Sequence, residues 1–303
     1  MNPSGLLPIL FALLFAPLLR GLISRTKARF AGRNGAPLLQ PYTDLLRLLR
    51  KGAVYSRSTG PLFRAAPWAG LAAVLVATAL APIGKTPALF HFSGDLILFA
   101  YLLGLGRFLT MAAALDTGSS FEGMGASREA FFSALAEPVL LLALAAFARA
   151  SGAASLSAVF GGITGANWAA AGPALALAAA ALAIVLLAEN ARIPVDDPNT
   201  HLELTMIHEV MVLDHSGPDL AAIEYGASLK LWITGSLLVS ALMPLDTGYA
   251  ALNLTAGLVG MLLLGLGIGA LESFMARLRL RVVPQLITGG GALALVALVV
   301  LLT

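Results

Sequence analysis

The chain has 303 residues, of which 58% are hydrophobic and only 12% are charged, and its formal net charge is +3. A soluble domain usually carries about 25% charged residues, and a single soluble core stops growing near roughly 250–300 residues, so an ordinary soluble globule is excluded. Cysteine is absent, which excludes disulfides, thiolate-held zinc and Fe–S clusters, and a cysteine nucleophile. We therefore expect an all-α integral membrane protein in the lipid bilayer, with no metal or cofactor of its own and no nucleic-acid partner.

The apolar segments predict the membrane spans. A helix that crosses the hydrocarbon core needs about 20 mostly apolar residues. By this measure residues 1–303 form a single membrane domain of about eight transmembrane helices, at 4–23, 65–84, 89–110, 130–150, 172–190, 221–243, 252–271 and 285–303. Pro8 and Pro17 lie in the first span and predict a kink. No basic segment precedes this span, so we do not interpret it as a signal peptide.

The basic residues predict the orientation. If eight spans alternate, all of the 19 Lys and Arg except Lys85, Arg149 and Lys230 fall on one side or flank it. Lys and Arg favour cytoplasmic loops, so we expect cytoplasmic loops at 24–64 and 191–220 and both termini outside. Residues 41–51 in the first of these loops predict a short amphipathic helix at the membrane surface.

The 191–220 loop is acidic, since half of the 16 Asp and Glu residues lie between 189 and 224. Asp197-Pro198 is typical of a helix start and Gly217-Pro218 of a helix stop. We therefore expect a cytoplasmic helix of about four to five turns between them. Three histidines fall on one stripe of that helix, which we interpret as facing solvent or a partner: His201, His208 and His215.

Ionisable residues inside the predicted spans are functional candidates, because a charge in the bilayer costs several kcal/mol. Glu137 and Lys230 lie inside the fourth and sixth predicted spans, and Asp95 lies in the outer part of the third. Glu189 and Glu224 lie at cytoplasmic span ends, where they could also reach water. We expect Glu137 and Glu224 to form a proton path with Glu189 and Lys230 as further members.

One segment is distinctive, Glu189-Asn-Ala-Arg-Ile-Pro-Val-Asp-Asp-Pro-Asn-Thr-His-Leu-Glu-Leu-Thr-Met-Ile-His-Glu209. It resembles the loop after the fifth span in the NADH dehydrogenase subunit 1 family of respiratory complex I. It more closely resembles the homologous anchor subunit of energy-converting NiFe hydrogenases of the formate hydrogenlyase and hydrogenase-4 type. Val195 stands where complex I members typically have Phe, which favours the hydrogenase branch.

Two other stretches are similar to the same family. Residues 28–44, with Arg29, Arg33 and Asp44, resemble its first cytoplasmic loop. Residues 123–129, with Arg128, resemble the start of its fourth span, and Glu137 follows eight residues after Glu129. The resemblance covers nearly the whole chain.

The resemblance implies a non-catalytic anchor in the plasma (inner) membrane of a prokaryote, which joins a soluble hydrogenase module to proton or Na⁺ translocation. The NiFe centre and Fe–S clusters would lie on partners: the hydrogenase large and small subunits and Fe–S subunits, beside antiporter-like membrane subunits. The acidic loop would be the docking and coupling surface, and Arg192 is expected to pair with Glu189 or Asp196. Its site residues are Arg192, Asp196, Asp197, Glu203, His208, Glu209 and Asp214.

Two alternatives remain open. One is a quinone-site subunit of an NADH:quinone oxidoreductase, which would need a concave and mainly apolar pocket. The other is a stand-alone secondary transporter, whose hallmark is a pair of broken helices in two halves. The sequence does not display such a pair.

Overall fold

The structure is a computed structural model that describes residues 5–196 and 206–303. This part of the chain is helical, with no strand beyond an isolated bridge between Ile83 and Thr86. The helices are α1 (Leu6–Phe30), α2 (Gln40–Leu49), α3 (Pro61–Leu80), α4 (Asp95–Asp116), α5 (Ser120–Ser151), α6 (Leu156–Gly162), α7 (Gly165–Glu189), α8 (Gly217–Leu242), α9 (Ala250–Phe274) and α10 (Val283–Leu302).

Seven helices in the described residues are long and apolar enough to cross a bilayer: α1, α3, α4, α5, α7, α9 and α10. Each overlaps a predicted span, so the all-α membrane fold class is confirmed. Several helix boundaries differ from the predicted ones. Helix α4 begins at Asp95 rather than at 89, and α5 begins at Ser120 rather than at 130. The short helix α6 is not among the predicted elements.

Helix α8 overlaps the sixth predicted span, 221–243, and is not among these seven helices. Every residue from 231 to 241 is buried inside the protein. Its buried hydroxyls bond to carbonyls of the preceding turn, as when Ser236 donates to Ile233 at 2.8 Å and Ser240 to Ser236 at 2.6 Å. A helix enclosed by other helices needs no lipid-facing surface, so it tolerates this polarity. That α8 spans the membrane stays a prediction.

The predicted amphipathic helix is present as α2, which packs beside α1. Helix α1 continues through Pro17, whose ring nitrogen has no hydrogen to donate to the Leu13 carbonyl. The hydroxyl of Tyr225 on α8 donates to that carbonyl at 3.0 Å. The hydroxyl of Tyr42 on α2 donates to the next carbonyl, that of Leu14. The proline therefore gives α2 and α8 attachment points on α1.

The prediction of a helix between Asp197 and Gly217 is wrong for residues 206–216, the part that the structure describes. Residues 206–216 contain only a 3₁₀ turn, Glu209–Val212, and residues 197–205 lie outside the described part of the chain. Contacts with α5 take the place of helical hydrogen bonds. Arg128 donates to the Met206 carbonyl at 2.8 Å, and Glu122 accepts from the Asp214 amide at 3.1 Å.

Gly125 on α5 makes this close approach possible. A Cβ at this position would lie 2.9 Å from the Met211 side chain and 3.1 Å from the Ile207 carbonyl oxygen. Because glycine has no side chain, residues 206–212 can pack directly against the start of α5.

The two long connections, 31–60 and 190–216, are held together. The Val54 amide donates to Ser216 Oγ at 3.0 Å. Just inside α8, Asp219 accepts from the Tyr55 hydroxyl at 2.8 Å and from the Trp68 indole nitrogen at 3.0 Å. The described residues of these connections therefore form one layer at the end of the helix bundle, which we call the loop layer.

Candidate functional site

Arg107 lies in the interior of α4 and joins three helices. Its guanidinium forms ion pairs with Glu137 on α5 and Glu189 on α7. The ammonium of Lys230 on α8 lies 3.9 Å from Glu189 Oε2. We call these four residues the central ion cluster. It contains two cations and two carboxylates, so it is formally neutral.

Burial makes these charges interdependent. The side chains of Arg107 and Glu189 are 6% and 1% exposed, whereas Glu137 is 43% exposed on the outer surface of the chain. Removing one partner of a buried pair typically costs about 3–5 kcal/mol, because the other charge is left uncompensated. A proton gained or lost by Glu189 would therefore change the energy of Arg107 and Lys230.

A second row of charged groups extends from α5 to the loop layer. His208 Nε2 lies 3.3 Å from Glu129 Oε2, and His208 Nδ1 lies 3.6 Å from Asp196 Oδ2. Asp196 also pairs with Arg277 at 3.0 Å and accepts from the Ile207 and His208 amides, each at 3.2 Å. This row places a histidine between two carboxylates on different elements.

The contacts in this row shift the pKa values of its two loop members, His208 and Asp196. Burial alone would lower the pKa of His208, but Glu129 and Asp196 outweigh it, and this pKa is raised above 6.5. Burial alone would raise the pKa of Asp196, but His208 and Arg277 outweigh it, and this pKa is lowered below 3.8. Both shifts favour the charged forms.

Lys27, Arg192 and Glu272 form the second ion cluster. Glu272 Oε2 lies 2.9 Å from the Lys27 ammonium, and Glu272 Oε1 lies 3.5 Å from Arg192 Nη1. The prediction that Arg192 pairs with Glu189 or Asp196 is therefore wrong. Its partner, Glu272, is on α9, which no local pattern in the 189–209 segment could indicate. Nearby, Arg20 on α1 pairs with Glu224 on α8.

A cavity of about 170 Å³ lies between these groups. Its apolar wall comes mainly from α3, α4 and α8. Its charged wall includes Arg20, Arg107, Glu129, Glu189, Arg192 and Lys230. The cavity therefore has three members of the central ion cluster, Arg107, Glu189 and Lys230, on one wall together with Glu129, His208 and Arg192.

The structure unites most of the predicted proton path. Glu137, Glu189 and Lys230 meet at Arg107, while Glu224 lies elsewhere on the cavity wall. Glu189 is 2% exposed, so the alternative that it reaches water from a span end is wrong. Asp95 is fully buried at the first residue of α4, where it accepts the Leu156 amide at 2.6 Å.

The predicted docking residues divide into separate groups. Arg192 and Asp196 are buried in ion pairs, Glu209 lies on the cavity wall, and Asp214 is exposed. The outward histidine stripe is wrong for His208 and His215, which turn inward, and His215 stacks on Phe63 at 3.9 Å between ring centroids. The remaining predicted loop residues, Asp197, His201 and Glu203, lie outside the described part of the chain.

The first-loop candidates do not join the site. Arg29, Arg33 and Asp44 are exposed, and Asp44 accepts from Gln40 within α2 at 2.8 Å. Arg128, at the start of α5, instead holds the Met206 carbonyl.

Sequence reasoning missed five members of the two ion clusters and the histidine row: Lys27, Arg107, Glu129, Glu272 and Arg277. The predicted 89–110 span begins six residues before α4, and this error places Arg107 at a cytoplasmic span end. The intramembrane-charge rule would have found it with the correct boundary. Glu129 and Glu272 gave no local signal, because their significance depends on partners distant in sequence.

No group of three or more His, Asp or Glu side chains suited to a metal ion occurs in residues 5–196 and 206–303. The fold and site define a multi-pass membrane protein with a buried, formally neutral ion cluster beside an internal cavity. The chain belongs to the NADH dehydrogenase family, whose sequence model matches residues 4–302.

Two curated relatives extend over nearly the full chain. Formate hydrogenlyase subunit 4 of Escherichia coli (strain K12) is 33% identical over 310 residues, covering 99% of each protein. Hydrogenase-4 component C of the same organism is 31% identical over 297 residues, covering 96% of this chain and 93% of the relative. The resemblance inferred from the 189–209 segment is thus confirmed.

The fold is similar to that of a chain in the membrane-bound sulfane sulfur reductase, an archaeal respiratory membrane complex. The TM-score is 0.84 with 98% of each chain covered, and the sequences are 22% identical. At this identity the likeness concerns the fold.

Proposed function

We propose that this chain is the membrane anchor and coupling subunit of a NiFe hydrogenase or formate hydrogenlyase-type complex in a prokaryotic inner membrane. It joins a soluble redox module to translocation of protons or Na⁺. The observation that carries the proposal is the central ion cluster, found in a chain related to formate hydrogenlyase and hydrogenase-4 subunits.

The cluster supports coupling because its charges are balanced within a buried site. Arg107 shares its charge between Glu137 and Glu189, so protonation of one carboxylate strengthens the hold of Arg107 on the other. Movement of charge in a docked redox module would alter the potential at the loop layer and the cavity. The response would be proton transfer among the cavity carboxylates and the central ion cluster.

Glu137 would be the end of this path at the outer surface of the helix bundle. Its carboxylate pairs inward with Arg107 yet its side chain is 43% exposed on α5, about one turn from the exposed apolar side chain of Leu141. A lipid-facing carboxylate is costly, so an adjacent membrane subunit covering this face would stabilise it. An antiporter-like subunit in contact with Glu137 fits the proposed assembly.

The loop layer is the proposed docking side for the redox module. Its exposed charges include Arg57 and Asp214, and complementary charge would set the register of a partner. The basic bias of the sequence favours a cytoplasmic position for this layer, with both termini outside. The Fe–S clusters and NiFe centre belong to the partners in this proposal.

The quinone-site alternative has one observation in its favour, the internal cavity. At about 170 Å³ it is smaller than the roughly 300–1,000 Å³ of typical small-molecule sites. Its wall is mainly apolar, as a quinone site would need, but it also carries at least six ion-paired or buried charges, more than the few polar groups that orient a quinone head. The hydrogenase-type role therefore accounts better for the site.

Glu137→Gln tests the coupling role in the assembled complex. The amide keeps the side-chain volume but carries no charge and cannot release a proton in the relevant range. We expect hydrogenase turnover with an artificial dye to stay within about twofold, while ion translocation falls about 100-fold. Translocation is measured in membrane vesicles with a pH- or potential-sensitive dye.

Asp246→Asn is the control, since Asp246 is an exposed carboxylate in the connection between α8 and α9. It should leave both activities unchanged. Normal translocation by the assembled Glu137→Gln complex would remove Glu137 from the path. Normal translocation by Glu189→Gln as well would refute the coupling role of the cluster.

A further inference from the structure

His208 occupies a junction that the proposed path otherwise lacks. Its Nε2 faces Glu129 on α5 at 3.3 Å, and its Nδ1 faces Asp196 in the loop layer at 3.6 Å. Neither ring nitrogen makes a hydrogen bond within the described residues. A ring with one nitrogen toward each of two carboxylates has the geometry needed to take a proton on one side and release it on the other.

The two carboxylates belong to different environments. Glu129 lies on the cavity wall with Arg107, Glu189 and Lys230. Asp196 lies in the loop layer, where Arg277 pairs with it at 3.0 Å. The His208 side chain between them is 22% exposed, and both carboxyl side chains are 5% exposed or less. The ring therefore separates the membrane cavity from the loop layer.

Every packed element presents a charged group to this ring. Glu129 faces it from α5 and Asp196 from its own loop, and both carboxylates favour the imidazolium form. Lys230 opposes that form from α8. Arg107 and Glu189, on α4 and α7, line the same small pocket as His208 and form an ion pair with each other. Burial and Lys230 favour the neutral ring, and the two carboxylates outweigh them.

We infer that His208 carries protons between Asp196 and Glu129, and so links the loop layer to the cavity. A proton arriving at Nδ1 from the Asp196 side forms the imidazolium, and loss of the Nε2 proton to the Glu129 carboxylate leaves a neutral ring. Rotation of the ring, which exchanges the positions of its two nitrogens, turns the bare nitrogen back toward Asp196 and resets it. This inference rests on the proposed coupling function and adds its connection to the loop layer.

The first experiment uses His208→Gln and His208→Ala in the complete complex. Both should assemble and keep dye-linked hydrogenase turnover. Ion translocation should fall about 100-fold, the scale of a lost proton-transfer group. His215→Gln is the matched control, because His215 is a buried histidine of the same segment whose ring stacks on Phe63. It should translocate normally.

Chemical rescue separates proton transfer from structural support. The cavity beside residue 208 has room for a small heterocycle, so added imidazole should restore translocation to His208→Ala in a saturable manner and leave His208→Gln unchanged. Methylimidazoles of different pKa should move the pH profile of the rescued activity. A role confined to packing would give no such shift.

The outcomes are distinct. Normal translocation by either His208 variant, or an absence of imidazole rescue in assembled His208→Ala, would overturn the inference. If both variants fail to assemble, Glu129→Gln decides instead: it should lose translocation, and normal translocation would overturn the inference. If His208→Gln is normal while Glu189→Gln is uncoupled, only the His208 link fails. If both variants translocate normally, the proposed coupling function itself is refuted, and the His208 inference is refuted with it.

Discussion

At the scale of single residues, the site depends on cations that serve more than one acid. Arg107 holds Glu137 on α5 and Glu189 on α7, which lie 52 residues apart in the sequence. Glu272 reverses this arrangement, since one buried carboxylate serves Lys27 and Arg192. Each shared group makes the charge state of one partner depend on the other, which is the property a coupling subunit requires.

The pairing of His208 predicts a pH-dependent attachment of the loop layer. Because the folded-state pKa of His208 is raised, its stabilising contribution is complete below 6.5 and is lost as the pH rises through the folded value. The lowered pKa of Asp196 works in the opposite direction: its contribution is present above 3.8 and is lost as the pH falls through the folded value. Attachment is therefore strongest between these limits.

Hydrogen exchange can follow this attachment, since the Ile207 and His208 amides donate to Asp196. After correction for intrinsic rates, exchange in residues 206–212 should accelerate as the pH rises through the imidazole titration. His208→Gln should abolish that alkaline acceleration. A wild-type protection factor that is constant across the titration would contradict the prediction.

At the scale of helices, one proline explains how α1 is joined to its neighbours. Tyr225→Phe removes the donor to the Leu13 carbonyl that Pro17 leaves unpaired. We expect a loss of about 1–3 kcal/mol in the free energy of unfolding, because a buried acceptor loses its partner. In a Pro17→Ala background the loss should be smaller, since the backbone amide that alanine introduces can bond to the same carbonyl.

A double-mutant cycle measures this difference, with unfolding followed by circular dichroism in mixed detergent micelles. Tyr101→Phe is the control, because Tyr101 is exposed on α4. Equal losses in the two backgrounds would show that Tyr225 acts independently of the proline.

The helices also show what could be predicted from sequence. Apolar length identified all seven strongly apolar helices, because the cost of burying polar groups in lipid is local and additive along a span. The same reasoning failed for residues 206–216. There Arg128, Gly125 and Glu122 on α5 decide the backbone, and Gly217-Pro218 begins α8 instead of ending a helix. Likewise, the partner of Arg192 could not be inferred from its neighbours in sequence.

At the scale of the whole molecule, the orientation can be tested directly because the chain has no cysteine. Ser56 lies in the loop layer, and Ser151 lies at the end of α5 that is distant from this layer. Each is replaced by cysteine in a separate variant. An impermeant thiol reagent should label Ser151→Cys in intact cells and label Ser56→Cys only after the membrane is opened. Labelling of Ser56→Cys from outside would invert the proposed topology.

The bonds that hold the loop layer together also set the timing of its formation during synthesis. Tyr55 and Asp219 are 164 residues apart in the sequence, and Val54 and Ser216 are separated by nearly as many residues. At about 5–20 residues per second, the ribosome needs roughly 8–33 s to supply the partner of Tyr55. During that interval the 31–60 connection has been synthesised but lacks its contacts with Ser216 and Asp219. A nascent chain released before α8 should therefore expose residues 50–60 to protease, and extension through Asp219 should protect them.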